Sequence, residues 1–128
     1  MKKGVKNWLE SAQYDLETAE HMLKTGRYIY TVFMCHLALE KVLKAKVEEV
    51  TDRIPPRTHD LEYLMELEKL SSDEDTERFI AEITNLSIVT RYPSDFQRML
   101  KDFSRKRTEL IWTKTKEVFQ GIKKSIKS

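Results

Sequence analysis

The chain is poor in the residues that build several common architectures. It has one cysteine, Cys35, in 128 residues, which excludes an intramolecular disulfide framework and a multi-cysteine zinc module. With only 3 Gly and 3 Pro, it cannot be collagen-like or a flexible repeat, and it lacks the turn residues of an all-β sandwich. It has no glycine-rich phosphate loop, no paired-histidine metal motif and no Gly-flanked serine, so no signature of a cofactor or metal is evident. No stretch approaches the roughly 20 apolar residues of a membrane span. The basic start leads into Glu10, Asp15 and Glu17 rather than an apolar run, unlike a secretory signal. The expectation is a soluble cytoplasmic protein with no membrane partner.

Hydrophobic residues make up 40% and charged residues 34%. The first figure allows a real core, and the length suits a single domain over residues 1–128. Net charge is only +2, but the charge is segregated. Residues 60–82 hold nine acids against Lys69 and Arg78, a net of −7, and residues 101–127 hold nine bases against three acids, a net of +6. Such blocks form solvated faces that attract each other, or a basic face for an anionic partner.

Apolar periodicity is helical throughout. Leu9, Ala12, Leu16, Ala19 and Leu23 place a helix over residues 5–24, with Gly26 as its stop. In residues 27–50 the first half is apolar nearly all round, which marks the central element of a bundle; Val42, Leu43 and Val47 continue inward, and Pro55 and Pro56 prevent any extension. Thr58 is the expected N-cap of a third helix carrying Leu61, Leu64, Met65, Leu67 and Leu70. The stretch 71–75 breaks it, and Ser72 is the expected cap of a fourth helix with Phe79, Ile83, Leu86 and Val89 inward. Arg91-Tyr92-Pro93 interrupts the pattern. The last helix starts at Ser104, in preference to Ser94, with residues 96–103 as a connector and with Leu110, Ile111, Val118, Phe119, Ile122 and Ile126 inward. The predicted fold is all-α, an up-and-down bundle of four main helices plus a short one around a hydrophobic second helix.

Three polar clusters stand out. His36, Glu40 and Lys44 fall four apart on one face of the most apolar helix, where they cost desolvation unless partnered. Arg57, Thr58, His59 and Asp60 follow the double proline at a helix start, where amides and Arg57 suit an anion. Arg91 and Tyr92 precede Pro93 and can bind a phosphate and stack on a base. Each cluster also has a structural reading, as a satisfied core pair, a salt-bridged cap or an ordinary helix-ending turn.

In order and content these segments resemble the HEPN family of small helical domains. The likeness runs through Trp8, residues 12–19 (Ala-Gln-Tyr-Asp-Leu-Glu-Thr-Ala), Gly26-Arg27-Tyr28, residues 36–45 (His-Leu-Ala-Leu-Glu-Lys-Val-Leu-Lys-Ala), residues 57–61 (Arg-Thr-His-Asp-Leu) and Arg91-Tyr92-Pro93. The resemblance implies a helical bundle that commonly dimerises. It also implies a nucleotide- or substrate-binding role beside a minimal nucleotidyltransferase, including in toxin–antitoxin pairs. Other members are metal-independent ribonucleases with an arginine followed four to six residues later by a histidine near the start of the last large helix. Here Arg91 occupies roughly that region and no histidine follows it; Arg53 and His59 have the spacing in another place.

The reading is a non-catalytic binding module and homodimer. Lys44, Arg57 and Arg91 are expected to hold phosphate, Tyr92 to stack on a base, and His36, Glu40, His59 and Asp60 to orient polar groups. A minimal nucleotidyltransferase protein and a nucleotide or nucleic-acid end are the expected partners. The alternatives are a ribonuclease using His59 with Arg91 or Arg53, and a purely structural helical partner.

Overall fold

The computed structural model describes residues 1–68 and 72–126. Six helices follow one another: α1 Lys3–Lys24, α2 Tyr28–Thr51, α3 Leu61–Glu68, α4 Glu74–Arg91, α5 Phe96–Asp102 and α6 Arg105–Ser125. No strand occurs among the described residues.

The first turn explains the main pairing. Gly26 takes φ +79°, the Gly26 amide donates to the Leu23 carbonyl at 3.2 Å, and the Arg27 amide donates to that of Met22 at 2.8 Å. These two bonds close a Schellman motif, for which the left-handed residue is best a glycine. The short link folds α2 back along α1, where Val5, Ala12, Leu16 and Ala19 are buried.

Helix α2 is the hub. It packs against α1, α3, α4, α5 and α6, and its Val32, Cys35, Ala38, Leu39, Val42 and Leu43 are fully enclosed. Five neighbours from the same chain therefore cover it, so its burial does not of itself require a second copy. Each valine or leucine side chain enclosed this way contributes about 1.5–3 kcal/mol.

Several local expectations need correction. Asp60, not Thr58, caps α3: its carbonyl accepts from the Leu64 amide at 3.1 Å and its Oδ1 from the Tyr63 amide at 3.1 Å. Thr58 instead accepts from the Asp60 amide at 3.1 Å, shaping the turn before the helix. Asp73, not Ser72, caps α4, accepting from the Thr76 amide at 2.7 Å. The segment expected as a connector contains the short α5, capped by Asp95, so there are two short helices. Leu70 lies outside the described residues. Ser104 caps α6 as expected. Leu110, assigned to its inner stripe, is exposed, while Thr108 and Thr115 are buried there. Both threonine hydroxyls bond the carbonyl four residues back, Thr108 to Ser104 at 2.7 Å and Thr115 to Ile111 at 2.8 Å. A bonded threonine can sit in a core at little polar cost.

Candidate functional site

The polar strip on α2 is buried: His36, Glu40 and Lys44 are all enclosed. An ion pair in such surroundings is tolerable only when its remaining hydrogen-bonding capacity is used. Glu40 uses both carboxylate oxygens. Oε2 accepts from Lys44 Nζ at 3.0 Å, and Oε1 meets His59 Nδ1 at 2.7 Å. Lys44 Nζ also lies 5.4 Å from the Trp8 ring centroid, a cation–π contact that α1 supplies. A carboxylate already paired with a lysine acts as an acceptor, so His59 Nδ1–H donates and Nε2 is left free. The His59 side chain is 65% exposed while Glu40 is 5% exposed. A buried acid thus holds an imidazole at the surface.

His36 lies one turn before Glu40. It is buried, and neither ring nitrogen has a hydrogen-bond partner among the described residues. The His36 pKa is lowered to about 4, chiefly by burial; Glu40 and the nearby His59 backbone pull it up, while Arg91 and the His59 ring push it further down. His36 is therefore neutral near pH 7 and sits within electrostatic reach of all three. Arg91, at the end of α4, stacks its guanidinium 4.9 Å from the Phe33 ring centroid. Its buried Nε also lacks a partner among the described residues. Buried polar atoms left unpaired are uncommon in native structures.

His59 and Arg91 line one groove of about 610 Å³ with Asp60, Tyr63, Ser87 and Ile88, and Glu62 and Glu66 on its rim. The turn before α3, α3 and the end of α4 thus form the groove, and α2 supports it from behind through Glu40 on His59 and Phe33 on Arg91. Lys44 lies beneath, committed to Glu40 and Trp8. Arg57 is exposed, and its side chain makes no hydrogen bond or ion pair among the described residues. Tyr92 is 78% exposed and lines the neighbouring groove rather than that of Arg91. Phe33 and Tyr63 give no functional signal in the sequence, since one is an aromatic on an apolar helix and the other an aromatic among acids.

Two other chemistries have little support. The Cys35 thiol is buried and pushed up to about 12, with a Thr115 hydrogen bond opposing that shift only in part, so it is not a nucleophile near neutral pH. Among the described residues, no three His, Cys, Asp or Glu side chains gather in a way that could hold a metal ion. No helix among them is long and apolar enough to cross a membrane.

The HEPN domain model matches residues 5–125. The chain belongs to the HEPN family. Two solved structures share this HEPN fold. TT1696 from Thermus thermophilus aligns with a TM-score of 0.80 at 19% identity, covering 96% of this chain and 98% of that one. ST0689, an archaeal HEPN homologue, aligns with a TM-score of 0.77 at 18% identity, covering 98% and 100%. At such identities the likeness concerns the fold alone. No curated protein matches the sequence.

Proposed function

We propose that this HEPN domain is a non-catalytic nucleotide-binding and interaction module, the binding partner of a minimal nucleotidyltransferase, as in a toxin–antitoxin pair. The observation that carries this reading is the meeting of Arg91 with the Glu40-held His59 in one groove, beside the unpartnered His36. Arg91 has donors to spare and would clamp a phosphate, worth about 1.5–3 kcal/mol as a charged hydrogen bond. His59 Nε2 would meet a second phosphate or base atom. Asp60, Glu62 and Glu66 would accept from ribose hydroxyls or exocyclic amines, which favours a nucleotide over a bare polyphosphate. Arg57 lies on the adjoining turn and would reach only an extended ligand.

Isothermal titration of mononucleotides into the wild type, Arg91→Ala and His59→Ala tests this. Binding lost in both variants, with circular dichroism unchanged, supports the module; equal binding by all three opposes it. A homodimer belongs to the same reading. It is supported by the exposed Tyr14, Tyr30 and Leu110, and by light scattering if the mass is about twice 15.2 kDa.

A second reading is favoured by one geometry. A buried carboxylate on Nδ1 with Nε2 free is the arrangement of a general base. On RNA, His59 would take the 2′-hydroxyl proton as that oxygen attacks phosphorus, then return it to the departing 5′-oxygen, while Arg91 meets the phosphate charge. RNA cleavage by the wild type that disappears in His59→Gln would favour this ribonuclease over the binding module.

A further inference from the structure

We propose that the groove between the end of α4, α5 and the start of α6 is a second subsite, which holds a single strand of nucleic acid continuing out of the Arg91 groove. The inference rests on the nucleotide reading above and extends its ligand from a mononucleotide to a strand.

The two grooves adjoin. Ile88 lines both, and the consecutive Arg91 and Tyr92 line one each. The second groove has a volume of about 480 Å³ and presents Tyr92, Arg98 and Arg107 over an apolar floor that includes Val89 and Met99. Tyr92 is the most exposed tyrosine of the chain, and Phe96, next to the groove, is 52% exposed. Exposed aromatic faces beside a cationic groove form the stacking platform that single strands use, because every base has a face to stack and every linkage a charge to neutralise.

The charge agrees. Residues 98–107 hold five bases against Asp102 alone. Arg105 pairs with Glu109 at 2.9 Å, whereas Arg98, Lys101 and Lys106 have no ion pair among the described residues. Arg107 stacks 4.7 Å from the Phe103 centroid and donates to the Asp102 carbonyl at 3.1 Å, which fixes its guanidinium in place. Of the acids lining the groove, Asp95 caps α5 through the Arg98 amide at 3.1 Å, and Asp102 is the one with no such task. The first turn of α6 contains no acid, although acids there would suit the helix dipole. Helix stability alone does not account for three consecutive bases at that position. An acidic protein segment would use the charge but not the aromatic faces, so a strand fits better.

The test is fluorescence anisotropy with a labelled oligouridylate of about eight nucleotides, competed by uridine monophosphate and, separately, by polyglutamate. The expected result is that the oligonucleotide binds at least about tenfold more tightly than the mononucleotide. In Arg98→Glu/Tyr92→Ala, neither side chain of which supports the core, oligonucleotide affinity should fall about tenfold or more. The slope of log affinity against log salt should become shallower by about 0.7 for each phosphate no longer neutralised, with mononucleotide binding unchanged. Arg98→Lys should retain part of the affinity. Wild-type oligonucleotide affinity in Arg98→Glu/Tyr92→Ala overturns the proposal. So does displacement by polyglutamate at equal charge concentration, which would make the groove a protein-docking surface. A loss seen only in Arg91→Ala overturns this strand subsite and leaves the mononucleotide reading standing; a loss seen only in Arg98→Glu/Tyr92→Ala overturns the mononucleotide reading and, with it, a strand that continues out of the Arg91 groove.

Discussion

Glu40 Oε1 lies 2.7 Å from His59 Nδ1, joining the middle of the most buried helix to an exposed turn nineteen residues later. With Lys44 on the other oxygen at 3.0 Å, the carboxylate orients the histidine and neutralises the lysine at once. The arrangement explains why an acid and a base persist in a helix otherwise built for packing, and it links stability to the site.

Glu40→Gln should therefore cost about 3–5 kcal/mol, because Lys44 is left charged and enclosed without its partner. The double variant Glu40→Gln/Lys44→Met should recover much of that loss. Urea melts of the three proteins provide the comparison. A Glu40→Gln loss under about 1 kcal/mol would mean that solvent reaches the pair.

His36 sets an acid limit on stability. Its pKa of about 4 in the folded chain lies below the ordinary value of 6.5. Between those values the unfolded chain takes up a proton that the folded chain refuses, so stability falls as pH drops through this window. Relative to the wild type, His36→Leu should gain on the order of 2–3 kcal/mol between pH 7 and pH 4. Parallel pH profiles for the two proteins would contradict the assignment.

Glu68 acts in the opposite sense. It is enclosed at the end of α3, and burial raises its carboxyl from 4.5 to about 7, with Lys46 pulling it partly back. Stability from the protonated form is present at low pH and is lost as pH rises through about 7. Glu68→Gln should leave stability at pH 5 nearly unchanged and raise it by about 1–3 kcal/mol at pH 8. Thermal melts at both pH values distinguish this from a uniform effect.

The parts of the fold legible in the sequence are those that obey a period. The stripe of α1, the all-round apolar character of α2 and the Gly26 stop each have one physical cause and one local signal. Caps are less legible. Thr58 and Asp60, or Ser72 and Asp73, are both competent acceptors, and the chain's entry angle decides between them. Helix α5 has seven residues, too few to display a period, and it relies on Asp95 and on contact with α2. Leu110 lies outside the inner stripe of α6 because Thr108 and Thr115, which hydrophobicity alone does not mark as core residues, satisfy their hydroxyls on their own helix.

The site divides in the same way. A polar group in apolar surroundings needs a partner, and Glu40 finds one in His59, whereas both His36 ring nitrogens and Arg91 Nε have none among the described residues. Arg57 and Tyr92 sit beside those residues in sequence but face elsewhere, since neighbours in a turn or at a helix end share no common face. The basic block was visible as charge, while its groove emerges only when α4, α5 and α6 are brought together.

The most direct measurement of the central claim is mononucleotide titration into wild type, Arg91→Ala and His59→Ala at low and moderate salt. Saturable binding to the wild type is expected, weakened about tenfold or more in each variant with the helical signal intact. Affinities unchanged by either substitution, or no binding by the wild type, would contradict it and leave the Glu40 pair and the Arg91–Phe33 contact as purely structural features.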